Sequence, residues 1–331
     1  MHFTARAFKL AKDPEHPEEF QDAFQIDPAQ AVAAISDGVS SAIFSGQWAE
    51  LLTAGVIAQP PDPDDKDAFA QWLRVLRQAW SEQIRSGGLA WFQKAKLPLG
   101  AFATLLWVRI QATDESQATY RLRAYAIGDT CLFHVRHGKV LRTFPIEKAA
   151  EFEADPLVLG SVDLKRDQLL KFAVLDEPCR RDDLLVLCTD AIAEWALRRI
   201  ESGSAPEWDD FWQMTEEDWR YGIEELRRQG LMRYDDATLV LLRLGPQRVE
   251  PQRPYAEEPP VEVEVVEPAA APAAQAPLPP EEDLVGKIKS ASDQVTRGID
   301  EVSNRILQGM RLLKGKALEK YRKKFKGDKK K

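Results

Sequence analysis

Six stretches of this chain are almost continuously apolar: AVAAIS (31–36), ATLLWVRI (103–110), LRAYAIG (122–128), CLFHVR (131–136), DLLVLCT (183–189) and ATLVLLRL (237–244). Runs of this length, bounded by Gly, Asp or Ser, predict strands that are buried on both faces. Elsewhere apolar residues recur at helical spacing, which predicts helices over 40–54, 67–84, 168–175, 191–201 and 216–229. Two strands meet at the turn Gly128-Asp129-Thr130 and the helices come in groups. That arrangement predicts α+β layers rather than a repeating βαβ unit.

The pattern changes after Gly245. Ten of the 21 prolines fall between Pro246 and Pro280, in text such as VEPAAAPAAQAPLPPEE, and Tyr255 is the only aromatic residue there. Such a segment cannot bury enough apolar surface to offset its ordering entropy, so residues 246–283 are predicted to be a disordered linker. All nine tryptophans precede it. The predicted domains are therefore a folded body over 1–245, the linker, and a tail over 284–331.

In the tail the apolar positions are 284, 288, 291, 295, 299, 302, 306, 310 and 313, an eleven-residue repeat. Eleven residues in three turns matches a nearly straight amphipathic helix. Gly286, Gly298, Gly309 and Gly315 weaken that helix in isolation, so it needs a partner or a surface.

Charge separates the two parts. The tail holds 15 Lys and Arg against 5 Asp and Glu, a net of +10, which leaves −18 for residues 1–283 out of a total of −8. An acidic body is unsuited to neutralising phosphates, so no nucleic-acid partner is expected. The basic tail suits an anionic membrane surface or an acidic protein. No run of about 18 apolar residues is present, and the first residues lack the apolar core and cleavage site of a secretory signal. Three widely spaced cysteines make no disulfide framework. The expected location is cytoplasmic, or peripheral at the inner membrane surface.

Candidate chemistry lies at the strand ends. Asp37 follows AVAAIS, Asp129 follows AYAIG, Asp190 follows LLVLCT, and Asp235 and Asp236 precede ATLVLLRL; Asp22 lies in EEFQDAF. Carboxylates gathered without His or Cys ligands form an oxygen site for Mg²⁺ or Mn²⁺. Each aspartate alone is better explained as a turn residue. Other signals point to structure. His134 and His137 lie three apart, which on a strand means opposite faces. Cys188 lies in a wholly apolar strand. Trp208, Trp212 and Trp219 have the spacing of a core-facing helical stripe rather than a peptide-binding face.

Taken in order, the motifs resemble the metal-dependent protein phosphatases (PPM, or type 2C serine/threonine phosphatases) of bacterial type. The resemblance covers residues 1–245. It is carried by Ser36-Asp37-Gly38-Val39-Ser40, by Gly100-Ala101-Phe102-Ala103-Thr104, by Ile127-Gly128-Asp129-Thr130, by Asp183 through Ala191, and by Asp235-Asp236-Ala237-Thr238.

The resemblance implies a four-layer αββα sandwich, two antiparallel sheets flanked by helices, with two Mn²⁺ or Mg²⁺ ions at one end and a weaker third. Asp37 would bridge the ions and Gly38 would offer its carbonyl. Asp190 and Asp235 would complete the first site, Asp22 would serve the second, and Asp129 would be associated with the third. Phosphoserine or phosphothreonine protein substrates would be hydrolysed by direct attack of a bridging water. A serine/threonine kinase, or that kinase's target, would be the partner.

The sequence also departs from the family. Ser40 and Ser41 replace its Gly-Gly, Val39 stands where some members have a histidine, and Ala191 replaces a glycine. Arg6 is the only arginine upstream of Asp22, where members carry a phosphate-holding arginine. These changes support the rival reading, a catalytically weak phosphoprotein-binding or scaffold protein on the same fold.

Overall fold

The apolar runs become the inner strands of two five-stranded antiparallel sheets. The computed structural model describes residues 2–86, 96–114, 119–163 and 171–245. Its first sheet has the order β1 (Phe3–Leu10), β12 (Ala237–Leu244), β11 (Leu184–Cys188), β7 (Cys131–Arg136), β8 (Lys139–Phe144). The second has the order β10 (Ala173–Arg180), β6 (Thr119–Ile127), β5 (Leu105–Asp114), β3 (Val32–Ser36), β2 (Ala23–Asp27). Two short strands, β4 (Phe102–Ala103) and β9 (Leu159–Gly160), pair beside them.

Strand β11 shows why the runs are continuous. Leu185 and Leu187 face the second sheet, while Leu184, Val186 and Cys188 face the helices. Alternate side chains of a strand point to opposite faces, and here both faces are covered. Between the sheets Ile35, Leu106 and Leu122 meet Leu132, Leu187 and Val240.

Helices close the outer faces. Helices α1 (Ser45–Ala58) and α2 (Lys66–Ser86) set Trp48, Leu52, Leu73 and Trp80 against Ala34 and Trp107 of the second sheet. Helices α3 (Asp190–Glu201), α4 (Trp208–Gln213) and α5 (Glu216–Arg228) set Ile192, Trp208, Trp219 and Ile223 against Phe133, Val186 and Leu241 of the first. The result is the αββα sandwich. Trp208 and Trp219 are buried and Trp212 packs against the same cluster, so the tryptophan stripe faces the core. Among the described residues no helix is long and apolar enough to cross a membrane.

Two expectations need correction. The helix predicted over 168–175 is contradicted by β10, which takes Ala173–Arg180; positions 168–170 lie outside the described residues. Exposure alternates along β10 and Pro178 lies within it. A sheet edge tolerates that proline, whereas a helix interior does not. Helix α1 also starts at Ser45 rather than at 40, because Phe44 takes a left-handed backbone (φ 57°) that ends the preceding loop.

The predicted linker over 246–283 and tail helix over 284–331 lie outside the described residues.

Candidate metal centre

The sandwich brings the predicted aspartates to one end. Asp22 stands just before β2 and Asp37 just after β3, Asp129 lies in the turn from β6 to β7, Asp190 opens α3, and Asp235 precedes β12 by two residues. Antiparallel pairing makes the end of one strand the neighbour of the next strand's start, so five separate positions converge.

Each position is held by its own local device. The Asp37 amide donates to Thr104 Oγ1 at 3.0 Å, and Thr104 Oγ1 lies 2.6 Å from Thr130 Oγ1, tying the end of β3 to the Gly128-Asp129-Thr130 turn. Gly128 adopts φ 101°, and a Cβ there would lie 2.5 Å from Thr104 Cγ2. Gly38 is equally constrained, since a Cβ would come within 2.7 Å of the Gln21 carbonyl oxygen. Only glycine fits either place.

Asp22 is 5% exposed, and its Oδ2 accepts from Thr189 Oγ1 at 2.9 Å. Thr189 Oγ1 in turn accepts from the Thr238 amide at 3.1 Å, which joins β11, β12 and the approach to β2. Asp190 Oδ2 accepts from Arg233 Nη1. The remaining oxygen of each of these carboxylates, Asp22 Oδ1 and Asp190 Oδ1, is buried with no hydrogen-bond partner among the described residues.

The electrostatics reflect crowding. Burial first, then Asp22, Asp190, Asp129 and Asp235, push the Asp37 carboxyl well above its usual range. Burial and then Asp236 do the same to Asp22. Burial and then Asp129 raise Asp190 to about 7, against the pull of Arg233. Asp129 is raised chiefly by burial. Buried carboxylates that repel one another, with two oxygens left without donors, match the all-oxygen set of a hard divalent cation. The residues present fit such ions.

Two residues that motif reading did not assign also shape the centre. Asp236, 4% exposed, accepts from the Lys12 amide at 2.7 Å and the Gln21 amide at 2.8 Å, and so fixes the chain on either side of the loop leading to Asp22. The Asp-Asp pair was visible in the sequence, but which member faces the cluster was not. Arg233 was signalled only by its place two residues before Asp235. Arg6 is occupied elsewhere, donating to the Trp212 and Met214 carbonyls.

His134 is structural. Its Nδ1 meets Glu177 Oε1 at 2.6 Å and its Nε2 meets Asp183 Oδ2 at 2.8 Å. Arg136 grips both oxygens of Asp183 at 2.7 and 2.8 Å. Cys179 lies close enough for these groups to suggest a second metal cluster. The guanidinium already neutralises Asp183, and both ring nitrogens are engaged, so the group is an ion-pair network. His137 sits in the β7–β8 turn at φ 50°, and Cys188 is fully buried.

The family model described as Protein phosphatase 2C matches residues 17–229. Among solved structures, the Mycobacterium tuberculosis serine/threonine phosphatase PstP/Ppp is 17% identical, over 74% of this chain and 99% of that one, with a TM-score of 0.47. PppA of Pseudomonas aeruginosa, titled a key regulatory component of T6SS, is 14% identical over 74% and 99%, with a TM-score of 0.46. The catalytic domain of PstP with two manganese ions is 15% identical over 73% and 98%, with a TM-score of 0.47. No curated protein matches the chain.

Proposed function

The chain belongs to the protein phosphatase 2C family, and from that premise we propose that it is a metal-dependent phosphatase of phosphoserine and phosphothreonine proteins. One observation carries the reading: carboxylates from separate segments converge, with Asp22 Oδ1 and Asp190 Oδ1 left buried and without donors. Asp37 would hold both of two Mn²⁺ or Mg²⁺ ions and Gly38 would offer its carbonyl, with Asp190 and Asp235 at the first ion and Asp22 at the second. When bound, such a pair supplies a water of lowered pKa and charge to clamp the attacking and leaving oxygens at phosphorus.

The chain's own residues preorganise that centre. Thr104 fixes Asp37, Thr189 fixes Asp22, and Asp236 fixes the loop before it. Lys12 supplies the charge for the incoming phosphate. Its amide is anchored on Asp236, and its ammonium reaches Ser40 Oγ at 3.1 Å, three residues past Asp37. The residue thus links Asp236 to the segment that follows Asp37. It takes the part that Arg6, turned to the Trp212 and Met214 carbonyls, does not fill.

The test is phosphate release from a phosphothreonine peptide, with and without millimolar Mn²⁺, for the wild type, Asp37→Asn and Asp190→Asn. Mn²⁺-dependent turnover that falls to background in both variants is the expected result. Absence of turnover in a folded chain that still takes up Mn²⁺ would replace this reading with that of a phosphoprotein-binding scaffold, the reading favoured by the engaged Arg6 and by Ala191. The basic tail over 284–331 is proposed to bring the body, residues 1–245, to an anionic membrane surface through an amphipathic helix. The substrate would then be a kinase or its target at that surface.

A further inference from the structure

Arg233 lies in the turn between α5 and β12, held by the residues on either side of it. Met232 is buried in the cluster between the first sheet and its helices. Tyr234 lies beneath the Arg227 guanidinium, 5.6 Å from it. With both neighbours committed, the Arg233 side chain, 36% exposed, extends to the rim of the acidic centre. There Nη1 donates to Asp190 Oδ2 and Nη2 donates to Glu194 Oε2 at 2.8 Å. Asp129 faces the same guanidinium, whose charge pulls its carboxyl down against burial.

Asp129, Asp190 and Glu194 thus share one corner of the centre. Carboxylates that all act on one position call for a cation there. Here the protein supplies the cation. We propose, resting on the two-ion reading, that Arg233 permanently fills this corner in place of the weaker third ion that the resemblance attaches to Asp129, so that the chain takes up two divalent ions and not three.

The division of Asp190 fits this assignment. Its Oδ2 is committed to the guanidinium, while Oδ1 faces inward without a donor. A guanidinium stays charged at every pH the protein meets and spreads its charge over a planar fork. A divalent ion arriving at the corner would meet that charge at contact distance. It would have to displace the guanidinium from Asp190 and Glu194 together.

The test counts ions on the full chain at pH 7.5 by titration calorimetry and by the electron paramagnetic resonance signal of free Mn²⁺. The wild type is expected to bind two Mn²⁺ per chain up to millimolar concentration. Arg233→Gln is expected to bind a third, and Arg233→Gln combined with Asp129→Asn to return to two. Three ions on the wild type would overturn the proposal without any variant, and so would a folded Arg233→Gln that still binds two. A wild type that binds none would overturn the two-ion reading as well, which separates that failure from this one.

Discussion

Asp22 is fixed by one oxygen and open at the other, and this has a cost in the metal-free chain. A carboxyl whose folded pKa is raised contributes stability that is fully present below its unfolded value, near 3.8. That contribution is lost as pH rises through the folded value. Asp22, Asp37, Asp129 and Asp190 are all raised, Asp190 to about 7. The chelated protein is therefore expected to lose stability from pH 5 to pH 8. Asp22→Asn, which removes one of the repelling charges, should raise its Tm at pH 8 by roughly 2–4 °C, about 1 kcal/mol for a domain of this size. The same substitution should weaken Mn²⁺ uptake. Thermal unfolding in chelator across that pH range checks both signs, and a Tm that rises with pH would contradict the assignment. Asp37, Asp129, Asp190 and Asp235 were legible in the sequence because each follows or precedes an apolar run. Thr104 and Thr189 stood in the motifs without a role, and Arg233 in none, because nothing in periodicity says where a side chain at a strand end or on a turn will point.

Among the elements, strands buried on both faces announced themselves and the others did not. The runs of β5, β11 and β12 are apolar because a sheet covers one face and helices or the other sheet's neighbours cover the second. β1, β2, β8 and β10 lie at the sheet edges and mix charged residues into their text. The first three residues of β10 fell inside the helix predicted over 168–175 for that reason. The His134 network links β7 and the residue before β11, both inner strands of the first sheet, to β10 at the edge of the second. Burial alone would lower the His134 pKa, but the Asp183 and Glu177 hydrogen bonds overcome it and raise it. Burial alone would raise Asp183, but Arg136, His134 and the Arg180 amide hold it well below the usual range. Removing one member leaves the others buried without a counter-charge, so Asp183→Asn is expected to cost about 3–5 kcal/mol. Urea unfolding at pH 6 measures it, since His134 is charged there and Asp183 ionised. A change below about 1 kcal/mol would mean that the network is held by packing instead.

For the whole molecule, the contrast between an acidic first 283 residues and a basic tail predicts that function and placement can be separated. A chain ending at Gly245 should keep the Tm and the turnover of the full chain. It should fail to sediment with phosphatidylserine vesicles, with which the full chain is expected to sediment at low salt but not at high salt. Full-chain sedimentation that is insensitive to lipid charge would point instead to an acidic protein as the tail's partner. Within the body, the donors are shared between the two sheets. Asp22 and Asp37 adjoin strands of the second sheet, Asp190 and Asp235 adjoin strands of the first, and Asp129 lies in the connection between them. Either half of the sandwich, formed alone, would hold only part of a coordination shell. Cation uptake would therefore report maturation: a chain with only one sheet assembled would lack part of the proposed donor set and is expected to be blind to Mn²⁺.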